Sequence, residues 1–75
     1  MTLDEFKKNI APHMNKGFVA MDANGRWYWY SKKPTEAKDF LKWVSEDYNF
    51  CFISDIFDIA PADDWTKSLI KVGGK

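Results

Sequence analysis

A turn signal between two strand-forming runs constrains the fold of this chain more than any other feature. Asn24-Gly25 separates residues 18–22 from residues 26–31, and both runs are rich in residues that favour β-structure. An Asn-Gly pair in this setting is the strongest local indication of a β-hairpin, because both residues tolerate the positive φ angles of a tight turn. The sequence therefore predicts a hairpin over residues 18–30.

The length of this turn decides which side chains share a face of the hairpin. A two-residue turn at Asn24-Gly25 pairs Met21 with Tyr28, whereas a longer, bulged turn through Ala23 shifts the pairing by one residue. The two-residue turn places Val19, Met21, Tyr28 and Tyr30 on one face, and Phe18, Ala20, Trp27 and Trp29 on the other.

One helix is expected before the hairpin and another after it. Thr2 and Glu5 have the spacing of a capping box, which predicts the start of a first helix. Pro12 disfavours helical geometry at Ala11, so this helix should end or kink near there. Pro34 predicts the start of a second helix over residues 35–48. Apolar side chains recur along this segment with helical spacing: Ala37, Phe40, Leu41, Val44 and Tyr48. Of these, Phe40, Leu41 and Val44 are expected to pack on the sheet.

The last third of the chain is expected to add a strand and a docked turn. Residues 50–53 form an apolar run that predicts a third strand, which continues through residues 55–59 after a bend. A loop containing Pro61 follows, and Trp65 and Leu69 are expected to return to the core in a short turn.

These elements predict an α+β fold with the order α-β-β-α-β and a short C-terminal turn. The sheet is antiparallel and three-stranded, and the two helices pack mainly on one side of it. A chain of 75 residues has room for a single domain, here residues 1–75 with a frayed tail at 72–75. Thirteen aromatic residues supply the bulk that a core of this size needs.

Metal, cofactor and catalytic chemistry find little support in the sequence. His13 and Cys51 are the only imidazole and thiol, whereas a structural zinc site needs four ligands. The serines do not lie in a nucleophile-elbow context, and the glycines do not form a phosphate-binding loop. We therefore expect no cofactor and no enzymatic activity. The longest apolar run has four residues, so no membrane association is expected either.

The second strand of the hairpin is the leading candidate for a contact surface. Its aromatic side chains point to both faces, although helices on one side would cover only one face. Either all four rings belong to the core, or an exposed patch binds a protein partner, since Trp, Tyr and Arg dominate binding hot spots. The candidate residues are Arg26, Trp27, Tyr28, Trp29, Tyr30, Lys32 and Lys33.

Charge favours a protein partner over nucleic acid at this surface. Rings beside basic residues are also typical of a platform on which single-stranded nucleic acid stacks, and this is the alternative function. The net charge of the chain is zero, however, and residues 39–65 carry seven acidic residues and one lysine. Such a segment repels phosphates.

Four aspartates in the acidic segment form a secondary candidate: Asp55, Asp58, Asp63 and Asp64. They could present carboxylates in place of phosphates to an enzyme that binds nucleic acid. The simpler interpretation is the solvated face of a strand, because Ile56, Phe57 and Ile59 alternate with the first two acids.

Two segments also resemble a known group of proteins. Residues 17–34 contain D-x-x-G-x-W, an aromatic strand and Lys33-Pro34, and residues 60–69 contain P-x-D-D-W-x-x-S-L. Both resemble small uncharacterised proteins of tailed bacteriophages and prophages. The resemblance implies an accessory protein made in the bacterial cytoplasm that binds and blocks a host protein, such as a restriction or CRISPR component. It implies no catalytic residue, and it leaves open whether the protein is a monomer or a homodimer.

Overall fold

The computed structural model describes residues 1–73, which form one α-helix and six short strands. The helix is α1 (Leu3–Asn9), and the strands are β1 (Gly17–Met21), β2 (Trp27–Tyr30), β3 (Thr35–Ala37), β4 (Lys42–Val44), β5 (Phe50–Phe52) and β6 (Ile70–Val72). Four strands form an antiparallel sheet in the order β5-β2-β1-β6, and β3 pairs with β4 in a separate two-stranded sheet.

The N-terminal helix begins and ends as predicted. The amide of Glu5 donates to the Thr2 hydroxyl at 3.1 Å, and the amide of Thr2 donates to the Glu5 carboxylate at 3.0 Å, which completes the capping box. After Asn9 the chain tightens into a 3₁₀ turn, Ala11–His13, that contains Pro12. Proline fits such a turn because its ring excludes the continuation of an α-helix.

The predicted hairpin is confirmed, but its register follows the longer turn. The amide of Gly25 donates to the carbonyl of Asp22 at 2.9 Å, and the amide of Asp22 donates to the carbonyl of Arg26 at 3.0 Å. Gly25 has a φ of +86°, as expected for a type I turn followed by a bulge. Met21 therefore pairs with Trp27.

Relative to the faces predicted from a two-residue turn, this register moves every β2 side chain to the opposite face. Opposite partners share a face of a sheet, and alternate residues along a strand return to it. The helix face, on which α1 packs, carries Val19, Met21, Trp27 and Trp29; the opposite groove face carries Phe18, Ala20, Tyr28 and Tyr30.

The predicted helix over residues 35–48 is wrong. The segment forms β3 and β4, joined by a 3₁₀ turn (Lys38–Phe40) and by Leu41 in the left-handed conformation, with φ 56°. Tertiary contacts outweigh the helical spacing, because β4 buries Trp43 against the groove face and the amide of Ala23 donates to the carbonyl of Leu41. Phe40, Leu41 and Val44, expected on the sheet, are 74%, 60% and 39% exposed.

The C-terminal third also differs from the prediction. The third strand stops at Phe52, and residues 53–57 turn back, with the amides of Ile56 and Phe57 donating to the carbonyl of Ile53. Trp65 and Leu69 dock on the core as expected. The chain then adds β6 beside β1, and Val72 is buried in the sheet rather than frayed. The fraying expected at residues 74 and 75 falls outside the described residues.

The fold class is therefore α+β, with a four-stranded and a two-stranded sheet and one α-helix in place of a three-stranded sheet and two helices. Both faces of the larger sheet are covered in part. On the helix face, Phe6 packs with Trp27 and Val72. On the groove face, Trp43 packs with Ala20 and Tyr30.

Candidate functional site

The four aromatic residues of β2 divide between the core and a partly open surface. Trp27 and Tyr30 are buried, whereas Tyr28 and Trp29 are half-buried. The indole N–H of Trp29 donates to the carbonyl of Asn15 at 3.1 Å, which fixes this ring against the N-terminal segment. The open part of the surface therefore involves Tyr28 most directly.

A groove with a volume of about 340 Å³ lies between this part of the sheet and the chain from β4 to β5. We call it the aromatic groove. Its most exposed ring is Tyr48, at 96%, and Phe50 on its rim is 45% exposed. The residues that line it are Asp22, Tyr28, Tyr30, Lys42, Trp43, Val44, Ser45, Asp47, Tyr48 and Phe50.

The floor of the aromatic groove is a set of rings packed across β2 and β5. The centroids of Tyr30 and Phe50 are 5.9 Å apart, and those of Tyr28 and Phe50 are 6.3 Å apart. Phe52, which lies beside the groove without lining it, supports Tyr28 at a centroid distance of 5.3 Å. These distances lie in the range of favourable aromatic pairs. Because the rings stand on paired strands, the floor is held in place before a partner arrives.

A partly buried carboxylate lies at one side of the groove. The amide of Trp43 donates to Oδ1 of Asp22 at 2.9 Å. Burial raises the pKa of Asp22, against the opposing effects of that hydrogen bond and of Lys42. Burial also raises the pKa of the Tyr30 hydroxyl, and the charge of Asp22 raises it further.

A second carboxylate, Asp47, organises the segment that carries Tyr48. It accepts hydrogen bonds from the Ser45 hydroxyl at 3.1 Å and from the amide of Asn49 at 3.3 Å. Nζ of Lys32 lies 3.9 Å from its other oxygen. These bonds within the turn hold the backbone on both sides of Tyr48, so its exposed ring projects from an ordered segment.

The basic residues of the contact surface predicted from the sequence are exposed, but they are separated from one another. Arg26 precedes β2 and lies beside the turn, whereas Lys32 and Lys33 follow β2 at its opposite end. The structure therefore brings Tyr28 and Tyr30 together in the groove. It leaves the three basic side chains at the two ends of β2.

The four aspartates of the secondary candidate are all exposed. The stretch 55–59 does not form the predicted strand, so the acids do not share one strand face. Asp64 has a local role, since its carboxylate accepts from the amide and hydroxyl of Thr66, and these bonds lower its pKa.

Most of the residues that line the groove were not among the candidate residues taken from the sequence, namely Asp22, Lys42, Trp43, Val44, Ser45, Asp47, Tyr48 and Phe50. Val44 and Tyr48 belonged to an apparent helical stripe. One signal favours the strand instead: Lys42-Trp43-Val44 contains two residues that favour strands, and Ser45, Asp47 and Asn49, which follow, are typical of turns.

Two further findings apply to residues 1–73. Within that part of the chain, no cluster of three or more His, Cys, Asp or Glu side chains is arranged to hold a metal ion. No helix in the described region is both long enough and apolar enough to cross a membrane.

No protein-family model, no curated protein and no solved structure matches the chain.

Proposed function

We propose that this chain is a non-catalytic protein-binding module that holds its partner in the aromatic groove. The observation that carries the proposal is the exposure of Tyr48 and Phe50 beside a preformed floor of packed rings. The packed rings of the floor lose little conformational freedom on binding. Aromatic side chains are also enriched in the energetic centres of protein interfaces.

The charges of the groove favour a protein over single-stranded nucleic acid. Asp22 and Asp47 both line the groove, whereas Lys42 is the one lysine among the lining residues. A nucleic-acid backbone that followed the rings would pass these carboxylates and be repelled. A protein segment can instead place apolar side chains on the rings and amides or basic groups beside the acids.

The resemblance of two segments to tailed-phage proteins supports the biological setting of the proposal. In that setting the module is a phage accessory protein in the bacterial cytoplasm, and its partner is a host factor of defence or nucleic-acid processing. The binding would block the partner, as the resemblance implies.

The proposal is tested by using the purified protein as bait in a bacterial lysate. Tyr48→Ala removes the most exposed ring of the groove, and Phe40→Ala is the matched control, since Phe40 is a strongly exposed ring that does not line it. We expect a host protein to be retained by the wild type and by Phe40→Ala, and lost with Tyr48→Ala, with little dependence on salt.

Binding of single-stranded nucleic acid is the outcome that would contradict this proposal. In that case a single-stranded oligonucleotide binds the purified protein at physiological salt, and its affinity falls steeply as salt is raised because counterions are released. Lys32→Glu combined with Lys33→Glu would then abolish binding of the oligonucleotide.

A further inference from the structure

The structure assigns a second contact surface, the outer edge of β5, and the partner that fits it is a second copy of this chain. β5 forms one edge of the four-stranded sheet. Residues 48–54, which include it, contain no charged residue and no proline. Natural sheet edges are commonly protected by such residues, and an edge without them is a template for another strand.

The hydrogen bonds of β5 show which backbone groups face outward. The amide of Ile53 donates to the carbonyl of Trp27 at 3.1 Å, and the amide of Ser31 donates to the carbonyl of Asn49 at 3.0 Å. Bonded pairs alternate along an antiparallel ladder, so Cys51 faces β2, whereas the backbone groups of Phe50 and Phe52 point away from it.

The other edge of the same sheet is built differently. β6 carries Lys71, whose charge lies on the edge strand itself. The amide of Gly73, immediately after β6, donates to the carbonyl of Ala11 at 2.9 Å, so the 3₁₀ turn that follows α1 lies beside this end. β6 thus has two of the usual protections that β5 lacks.

The sequence of β5 is self-complementary about its central residue. Phe50-Cys51-Phe52 reads the same in both directions, so an antiparallel second copy with its two-fold axis at Cys51 places Phe50 opposite Phe52 of the other copy. The amide of Phe50 is already bonded to the carbonyl of Tyr48. The pairing therefore uses the amide of Phe52 and the carbonyl of Phe50, twice about the axis.

The side chains of this pairing extend contacts that each copy already contains. On the groove face, Tyr28 stands beside Phe52, and Phe50 stands beside Tyr30. The second copy places its Phe50 next to Phe52, which makes one continuous row of rings across an eight-stranded sheet. Two aromatic grooves then open on the same face of the dimer. Because the pairing contributes only two backbone bonds, the dimer should form reversibly, and its fraction should rise with protein concentration.

The opposite face supplies a direct test. Cys51 is exposed and pairs with Trp29, so its thiol lies on the helix face. In the proposed dimer the two thiols face each other at a non-hydrogen-bonded position, where Cα atoms lie about 4.5 Å apart. That separation permits a disulfide. Mild oxidation of the full chain should therefore produce a covalent dimer of twice 8.8 kDa, in a yield that exceeds that expected from random collision.

Sedimentation of three variants without oxidant separates the interface from the crosslink. Cys51→Ser should still dimerise, because the pairing uses backbone and phenylalanine rings. Cys51→Lys should be monomeric at every concentration, because it sets two ammonium groups against each other at the axis. Ala23→Lys, which adds the same charge at an exposed turn, should behave like the wild type.

A wild-type chain that sediments as a monomer over the whole concentration series would overturn the proposal, as would a dimer that persists in Cys51→Lys. A folded far-ultraviolet spectrum of each variant ensures that loss of the dimer is not loss of the fold. The outcome is independent of the host-protein experiment, which varies Tyr48 and not β5.

Discussion

Replacing Trp43 by alanine should destabilise this protein far more than replacing Phe40. Trp43 is 8% exposed, and its indole N–H donates to the carbonyls of Met21 at 3.1 Å and Trp65 at 3.2 Å. Burial of a tryptophan removes roughly 200 Å² from water, which at about 25 cal/mol/Å² contributes about 5 kcal/mol. Measured truncations of this kind cost about 3–5 kcal/mol.

That loss is a large part of the whole free energy of unfolding, which for 75 residues is about 4–11 kcal/mol. Phe40→Ala should change it by less than about 0.5 kcal/mol, because the ring is already in water. Trp43→Phe should lie between them, at about 1–2 kcal/mol. The carbonyl of Trp65 keeps the amide of Ser68 as a donor, and the single hydroxyl proton of Ser68 remains for the carbonyl of Met21 or of Trp65.

Urea unfolding followed by far-ultraviolet circular dichroism measures all three variants without relying on tryptophan fluorescence. The comparison also decides between a strand and a helix for residues 35–48, because a helix that packs its predicted stripe on the sheet buries Phe40 and leaves Trp43 to one side. Equal costs for the two alanine variants, or a larger cost for Phe40→Ala, would refute the β3–β4 hairpin.

Three further predictions follow from single contacts. Asp22→Asn should equal or exceed the wild type in stability at neutral pH, because burial raises the pKa of Asp22 and its ionisation weakens the fold as pH rises above the ordinary value of 3.8. Asp22→Ala should cost about 1–3 kcal/mol, because it leaves the amide of Trp43 without its acceptor. Urea unfolding across pH checks both variants. Gly25→Ala should cost about 1 kcal/mol because of its positive φ, and Gly25→Asn should recover most of that loss. Gly17→Ala should cost about 1–3 kcal/mol, because its Cβ would collide with the backbone carbonyl of Tyr30 and lie 2.8 Å from the Trp29 indole nitrogen. Thermal melts rank the three variants. Truncation after Ala60 removes β6 and the docked turn, so the remaining chain should show no cooperative thermal transition.

Local signals predicted the parts of the fold that local chemistry determines. The capping box at Thr2 and Glu5 and the turn at Asn24-Gly25 depend on residues close together in the chain, and both are present. The predicted register was wrong by one residue because the turn includes Ala23. Side chains alternate along a strand, so this one-residue shift places every β2 side chain on the opposite face.

Residues 35–48 could not be predicted from local spacing because distant contacts decide their structure. The stripe through Phe40 and Leu41 fits a helix, but the bonds of Trp43 to Asp22, Met21 and Trp65 depend on residues about twenty positions away on either side. The same dependence hid the aromatic groove, since it exists only once β4 packs across the sheet.

A chemical-shift map of the isotope-labelled protein with its captured host partner tests the central claim most directly. The aromatic groove predicts that the largest amide shifts cluster at residues 28–30 and 42–50, with residues 38–41 and 55–64 little changed. Shifts concentrated at residues 55–64, around the acidic side chains, or at 38–41, around the exposed Phe40, would contradict the assignment of the groove as the binding site.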